Sequence, residues 1–244
     1  MTSKIVWICA LILGLAGGDA VFVRVAHADS TPADSAPALM LHHKASKPAQ
    51  NNKAGASTLA PTPFVPIAPA VAIQKANAYF NSTKTMVADF VQISGDGRRA
   101  EGKVFVQKPG RLRFEYAAPA TLDVIADGTA VAVIDHKVNS VQQYFIWQTP
   151  LKFLLKDHID LNRDVKVLNV SSDPDNVSIL VEDKQVFGGT SQIKLMFDPA
   201  TFMLKQWQVT DPQGNETLVS LFNQDFTQKP DPALFQIYGS RSSK

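Results

Sequence analysis

The chain is poor in side chains that usually do chemistry. It has five histidines and one cysteine in 244 residues. His42 and His43 are adjacent and could hold a metal weakly, but they sit in a polar stretch where a solvated tail explains them. His136 and His158 border turns or loops, and neither stands at a metal-ligand spacing. Asp127 and Asp135 flank one hairpin. Paired carboxylates can do acid–base work, yet a turn-former and a strand end account for both with fewer assumptions. No Gly-x-Ser-x-Gly, His-Glu-x-x-His, phosphate-loop or dinucleotide pattern occurs. An enzyme reading has no residues to stand on, and neither a metal nor a cofactor is expected.

The first residues read as a secretory signal. Lys4 supplies the positive charge and Ile5 to Leu15 the apolar core, shorter than the roughly 20 residues that cross a bilayer. Ala26–His27–Ala28 fits a cleavage site, so residues 1–28 are assigned as signal and export is expected. An uncleaved anchor, lengthened by Val21, Phe22 and Val23, is the other reading; Asp19 and Arg24 interrupt it. Cys9, the one cysteine, lies too early for a lipidated N-terminus. The mature chain then has no disulfide and no thiol. Removing Lys4, Arg24 and Asp19 from the 24 basic and 22 acidic side chains leaves 22 against 21. No basic stripe points to nucleic acid.

Residues 29–69 are rich in Ala, Pro, Ser and Thr and are expected to form a disordered spacer, stiffened by prolines 61, 63, 66 and 69. A folded domain is assigned to 70–240. Val71 to Asn81 reads as an amphipathic helix, with Val71 or Ile73, Ala76 and Phe80 at helical spacing. Strands follow: 86–93, 102–108, 111–116, 121–126, 130–135, 141–147, 164–170, 177–182, 190–197, 202–210 and 216–222. Asp96–Gly97, Pro109–Gly110, Asp127–Gly128 and Asp211–Gly214 mark turns between them. In 111–116, Leu112, Phe114 and Tyr116 point one way and Arg111, Arg113 and Glu115 the other, the period of a strand with one wet face. Val131 and Val133, Ile193, Leu195 and Phe197, and Leu218 and Phe222 are assigned to the same covered face. The period changes at Thr149–Pro150, where an N-cap and a first-turn proline open a short apolar helix to Lys156, with Leu151, Leu154 and Leu155 on one face. A short helical turn is expected at 231–235. The result is a curved antiparallel meander, mainly β, its concave side covered by two helical pieces.

The ordered series Ala88-Asp-Phe-Val-Gln92, Gly102-Lys-Val-Phe-Val-Gln-Lys-Pro-Gly-Arg-Leu-Arg-Phe-Glu-Tyr116, Ile125-Ala-Asp-Gly128, Thr149-Pro-Leu151 with Leu154-Leu155, and Asp211-Pro-Gln-Gly-Asn215 resembles the periplasmic outer-membrane lipoprotein carrier family over about residues 70–238. The resemblance implies an incomplete, half-open antiparallel β-barrel with a helical lid over a hydrophobic cavity. It implies a chaperone without enzymatic activity that takes triacylated lipoproteins from an inner-membrane ABC-type releasing complex and passes them to an outer-membrane acceptor lipoprotein. The carrier is expected to be a monomer. Acyl chains would lie against Phe80, Phe90, Leu112, Phe114 and Tyr116, under a lid of Leu151, Phe153, Leu154 and Leu155. These leucines read equally as an ordinary core plug. The family's latch, a basic residue before the proline of the second strand, falls on Lys108. Its parity matches Val104 and Val106, which aims it at the cavity mouth; a solvated lysine beside a turn is the plainer reading. Lysine also lacks the planar donor fork of arginine. The alternative function within this fold is an envelope-stress regulator that senses lipoproteins and binds an anti-sigma factor.

Overall fold

The computed structural model describes residues 64–150, 152, 155–186 and 189–237. The expected signal, the spacer up to residue 63, and Leu151, Phe153 and Leu154 lie outside the described residues. Among the described residues, the helix α1 (Pro69–Ser82) precedes an 11-stranded sheet. β1 to β6 are Thr85–Ser94, Arg99–Gln107, Arg111–Tyr116, Leu122–Asp127, Ala130–Asp135 and Ser140–Phe145. β7 to β11 are Lys166–Ser172, Val177–Val186, Gly189–Phe197, Leu204–Thr210 and Glu216–Asp225. All pairings are antiparallel, in the order β6-β5-β4-β3-β2-β1-β11-β10-β9-β8-β7. Two meanders thus join through β1 and β11. β6 and β7 are consecutive in sequence yet form the two edges, so the barrel is open between them. Their connection holds a 3-10 turn (Ile146–Gln148) and the four-residue α2 (Leu161–Asp164).

Alternation gives the sheet one dry face. Phe90, Val104, Leu112, Phe114, Tyr116, Val131, Val133, Ile193, Leu195 and Phe197 are all buried in a single cluster. α1 packs on that face through Ala72, Ala76 and Phe80, spaced four apart. The two alanines let the helix sit close, and Val71 is exposed, so the buried stripe runs from Ala72 rather than Val71. Pro69 stands in the first turn, where its missing N–H is harmless. Thr83 closes the far end, its N–H and hydroxyl both donating to Tyr79 O at 3.1 and 2.9 Å.

Two expectations need correction. On β11 the inward residues are Thr217, Val219 and Leu221, while Phe222 is exposed. Both parities of this strand are apolar, so its own pattern is ambiguous; pairing of Leu221 with Phe90 decides it. The helix expected over 149–156 is also absent from its described residues. Thr149 Oγ1 donates back to Ile146 O at 2.8 Å, so Thr149 ends a 3-10 turn instead of starting an α-helix. Lys152 and Leu155 lie in turns.

The C-terminal 3-10 turn (Pro232–Phe235) crosses the outside of β3 and β4. Ile237 joins Ile125 and Ala132 there in a second, small apolar cluster. Arg113 anchors this strap, donating to Leu234 O at 3.5 Å and to Asp123 Oδ2 at 3.1 Å.

Candidate ligand cavity

The last turn of α1 closes an apolar cavity of about 60 Å³. Val104, Val106 and Leu112 from the β2–β3 hairpin line one side with Met86 of β1. They meet there because Val106 pairs with both Met86 and Leu112. Leu204 and Trp207 of β10 and Leu221 of β11 line the other side. Tyr79, Phe80, Thr83 and Leu155 complete the wall. Sites that hold a small organic ligand measure roughly 300–1,000 Å³. The protein's own side chains therefore largely fill this one.

Of the residues expected at the site, Phe80, Leu112, Leu155 and Lys108 line the cavity. Phe90, Phe114 and Tyr116 build the core beside it. Phe90 meets the other two rings edge-on at 5.0 and 5.1 Å, and Phe114 meets Trp207 at 6.4 Å. Tyr116 donates its hydroxyl to Gln92 Oε1 at 2.7 Å, so this deeply buried phenol is paired; burial holds its pKa well above the usual range. Sequence reading missed Tyr79, Thr83, Met86, Leu204, Trp207 and Leu221. Nothing local marks them: they come together only because β1 pairs with β11.

Among the described residues, Lys108 is the one charged side chain on the cavity wall. Its Nζ donates to Phe80 O at 2.7 Å and lies 5.7 Å from the centre of the Phe80 ring. Burial pushes its pKa down to about 8; the nearby Lys84 charge adds to this and Asp157 opposes it. The carbonyl it reaches belongs to the last turn of α1; three residues of the expected 151–155 lid, Leu151, Phe153 and Leu154, lie outside the described residues. That segment is held to the same hairpin by another bond, Gly110 N–H donating to Leu155 O at 2.8 Å.

Helix and connection are clamped along a polar edge. Asn81 accepts from Ile159 N at 2.8 Å and donates to Ile159 O at 2.9 Å, and Asn77 accepts from Leu161 N at 3.0 Å. Asn81→Ala leaves the buried Ile159 backbone without either partner. It is expected to lower unfolding free energy by about 1–3 kcal/mol in urea titrations.

The other candidates turn out to be structural. Asp127 Oδ1 accepts from Thr129 N and Ala130 N, both at 2.8 Å, and Asp135 Oδ1 accepts from Lys137 N at 2.9 Å. Each carboxylate folds its own turn. His136 contacts Asp123 at 3.2 Å and His158 is exposed. Among the described residues no three His, Cys, Asp or Glu side chains converge on a point that could hold a metal.

Residues 81–238 match the family described as outer membrane lipoprotein carrier protein LolA. An outer-membrane lipoprotein carrier protein of Chromobacterium violaceum is 26% identical over 175 residues, which cover 69% of this chain and 84% of that protein. A LolA superfamily protein of Nitrosomonas europaea aligns with a TM-score of 0.40 at 10% identity, over 70% of this chain and 98% of its own. The MucA/MucB complex of Pseudomonas aeruginosa aligns with a TM-score of 0.38 at 12% identity, over 68% and 60%. The family match extends over more than half of the sequence, and the chain belongs to the outer membrane lipoprotein carrier family.

Proposed function

We propose that this protein is a periplasmic chaperone that shields the acyl chains of lipoproteins. It takes them from an inner-membrane ABC-type releasing complex and delivers them to an acceptor lipoprotein on the outer membrane, without catalysis. Family membership and the cavity both support this reading. The observation that carries it is an apolar cavity beneath a helix end that is held by a half-buried cation, Lys108.

Burying a methylene in such a site gains about 0.8 kcal/mol, so two or three acyl chains in a rigid, dry pocket would hardly leave. A cavity that closes on itself changes the balance. Phe80, Leu155 and their neighbours already occupy the space, and a guest must displace them. Their reburial on departure offsets much of the guest's lost contact and permits release. Lys108 suits the latch in this scheme, because its ammonium holds the last turn of α1 by donating to Phe80 O.

The purified protein, added to inner-membrane spheroplasts, is expected to bring lipoproteins into solution as one-to-one complexes resolved by native mass spectrometry. If no lipoprotein is released, the reading fails.

A further inference from the structure

Trp207 places a polar group where the cavity offers it nothing. It sits in the middle of β10, paired with Val219 on one side and Leu195 on the other. The residue is 5% exposed and lines the cavity. Its indole N–H is buried with no acceptor among the described residues. Tyr116, the other deeply buried polar aromatic in this core, shows the ordinary solution, since Gln92 accepts from its hydroxyl. Buried donors are nearly always paired, and leaving one unpaired costs about 1–3 kcal/mol. Phenylalanine would keep an aromatic ring on this wall without that penalty. A bridging water needs two to four polar partners, and the polar side chains of this wall are engaged elsewhere: Lys108 donates to Phe80 O, Thr83 to Tyr79 O and Tyr79 to Gln224 Oε1.

An acceptor that arrives with the guest resolves the imbalance. Acyl chains carry such an acceptor only at their carbonyl ends. We propose that the Trp207 indole N–H donates a hydrogen bond to an ester carbonyl of the acylated ligand, so that the cavity selects acyl chains over plain hydrocarbon. This rests on the carrier reading above. It adds a polar criterion to a site otherwise governed by apolar area, and it fixes how deep the carbonyl end sits.

The test compares a dipalmitoylglyceryl-cysteinyl peptide with its dialkyl ether counterpart, which keeps the chains and the peptide amides and lacks only the ester carbonyls. A diester phospholipid and its diether form a second pair. The wild-type protein is expected to bind the ester peptide about tenfold tighter than the ether. Trp207→Phe is expected to bind the two alike. The ratio is the readout, because the void left by phenylalanine weakens both ligands together. Benzothienylalanine at position 207 keeps the double ring, removes the N–H and should also abolish the preference. Equal binding of both peptides by the wild type overturns the contact while leaving the carrier reading intact, as does a preference that survives Trp207→Phe. Binding of neither peptide overturns both proposals. A preference shown by the phospholipid pair alone supports the hydrogen bond and assigns its carbonyl to a membrane lipid.

Discussion

Gly102→Ala is expected to abolish cooperative folding, although alanine is the smallest change available. Gly102 lies inside β2, paired with Phe90 of β1 on one side and Tyr116 of β3 on the other. A Cβ built there falls 2.0 Å from Glu115 O and 2.9 Å from Tyr116 Cα. Both are backbone atoms, so no side-chain rotation relieves the clash and β3 must move. The rings of Phe90 and Tyr116, the residues paired with this glycine, meet each other edge-on at 5.1 Å. Aromatic rings are a known cover for a glycine in a sheet. Displacing β3 would disturb this contact together with Phe114. The expected loss exceeds about 4 kcal/mol, a large part of the 5–15 kcal/mol typical of a domain. Gly97→Ala is the control: it meets nothing within 4 Å and carries only the strain of φ +80°, about 1–2 kcal/mol. Circular dichroism during urea titration reads both. A sharp, unshifted transition for Gly102→Ala would refute the steric account.

Lys108→Met is expected to reduce lipoprotein transfer at least tenfold while changing stability little near neutral pH. The variant loses the bond to Phe80 O but also the cost of a desolvated ammonium, and the two oppose each other. The pH dependence separates them. Native Lys108 releases its proton at about 8, whereas an unfolded lysine holds it to 10.5. Between those values the unfolded chain binds more protons, so the wild type gains stability as pH rises through about 8. Lys108→Met lacks this gain, and Lys108→Arg, always charged, lacks it too. Discounted for partial solvent access, the gain by about pH 9.5 is roughly 1 kcal/mol, or 2–4 °C in melting temperature. Parallel melting curves for wild type and Lys108→Met across that range would show that the ammonium is not desolvated. Equal losses of transfer and stability would make Lys108 merely structural.

Much of this architecture is legible locally. The inward set Leu112, Phe114 and Tyr116 follows from alternation alone, and the turns at Asp96–Gly97, Pro109–Gly110 and Asp127–Gly128 stand between the observed strands. Failures came where the local pattern permitted two answers. Leu218 and Phe222 were as apolar as Val219 and Leu221, and only the neighbouring β1 chose between them. Thr149 carried an N-cap residue type, but its hydroxyl was engaged by the preceding turn. The parity of Lys108 matches its place on the cavity wall, but no local pattern marks the Phe80 carbonyl, 28 residues away, as a partner.

By itself, the sequence determined the strand series, the greasy face that needed a cover, and the lack of a recognisable catalytic set. Those properties are local: side-chain alternation, turn chemistry and the types of residue present act over a few positions. The tertiary structure decided what encloses the cavity, which carbonyl Lys108 reaches, and that the Trp207 N–H has no acceptor among the described residues. Each of these depends on β1 pairing with β11 and on α1 lying across the sheet. Such enclosure comes from contacts distant in sequence, and no periodicity records it.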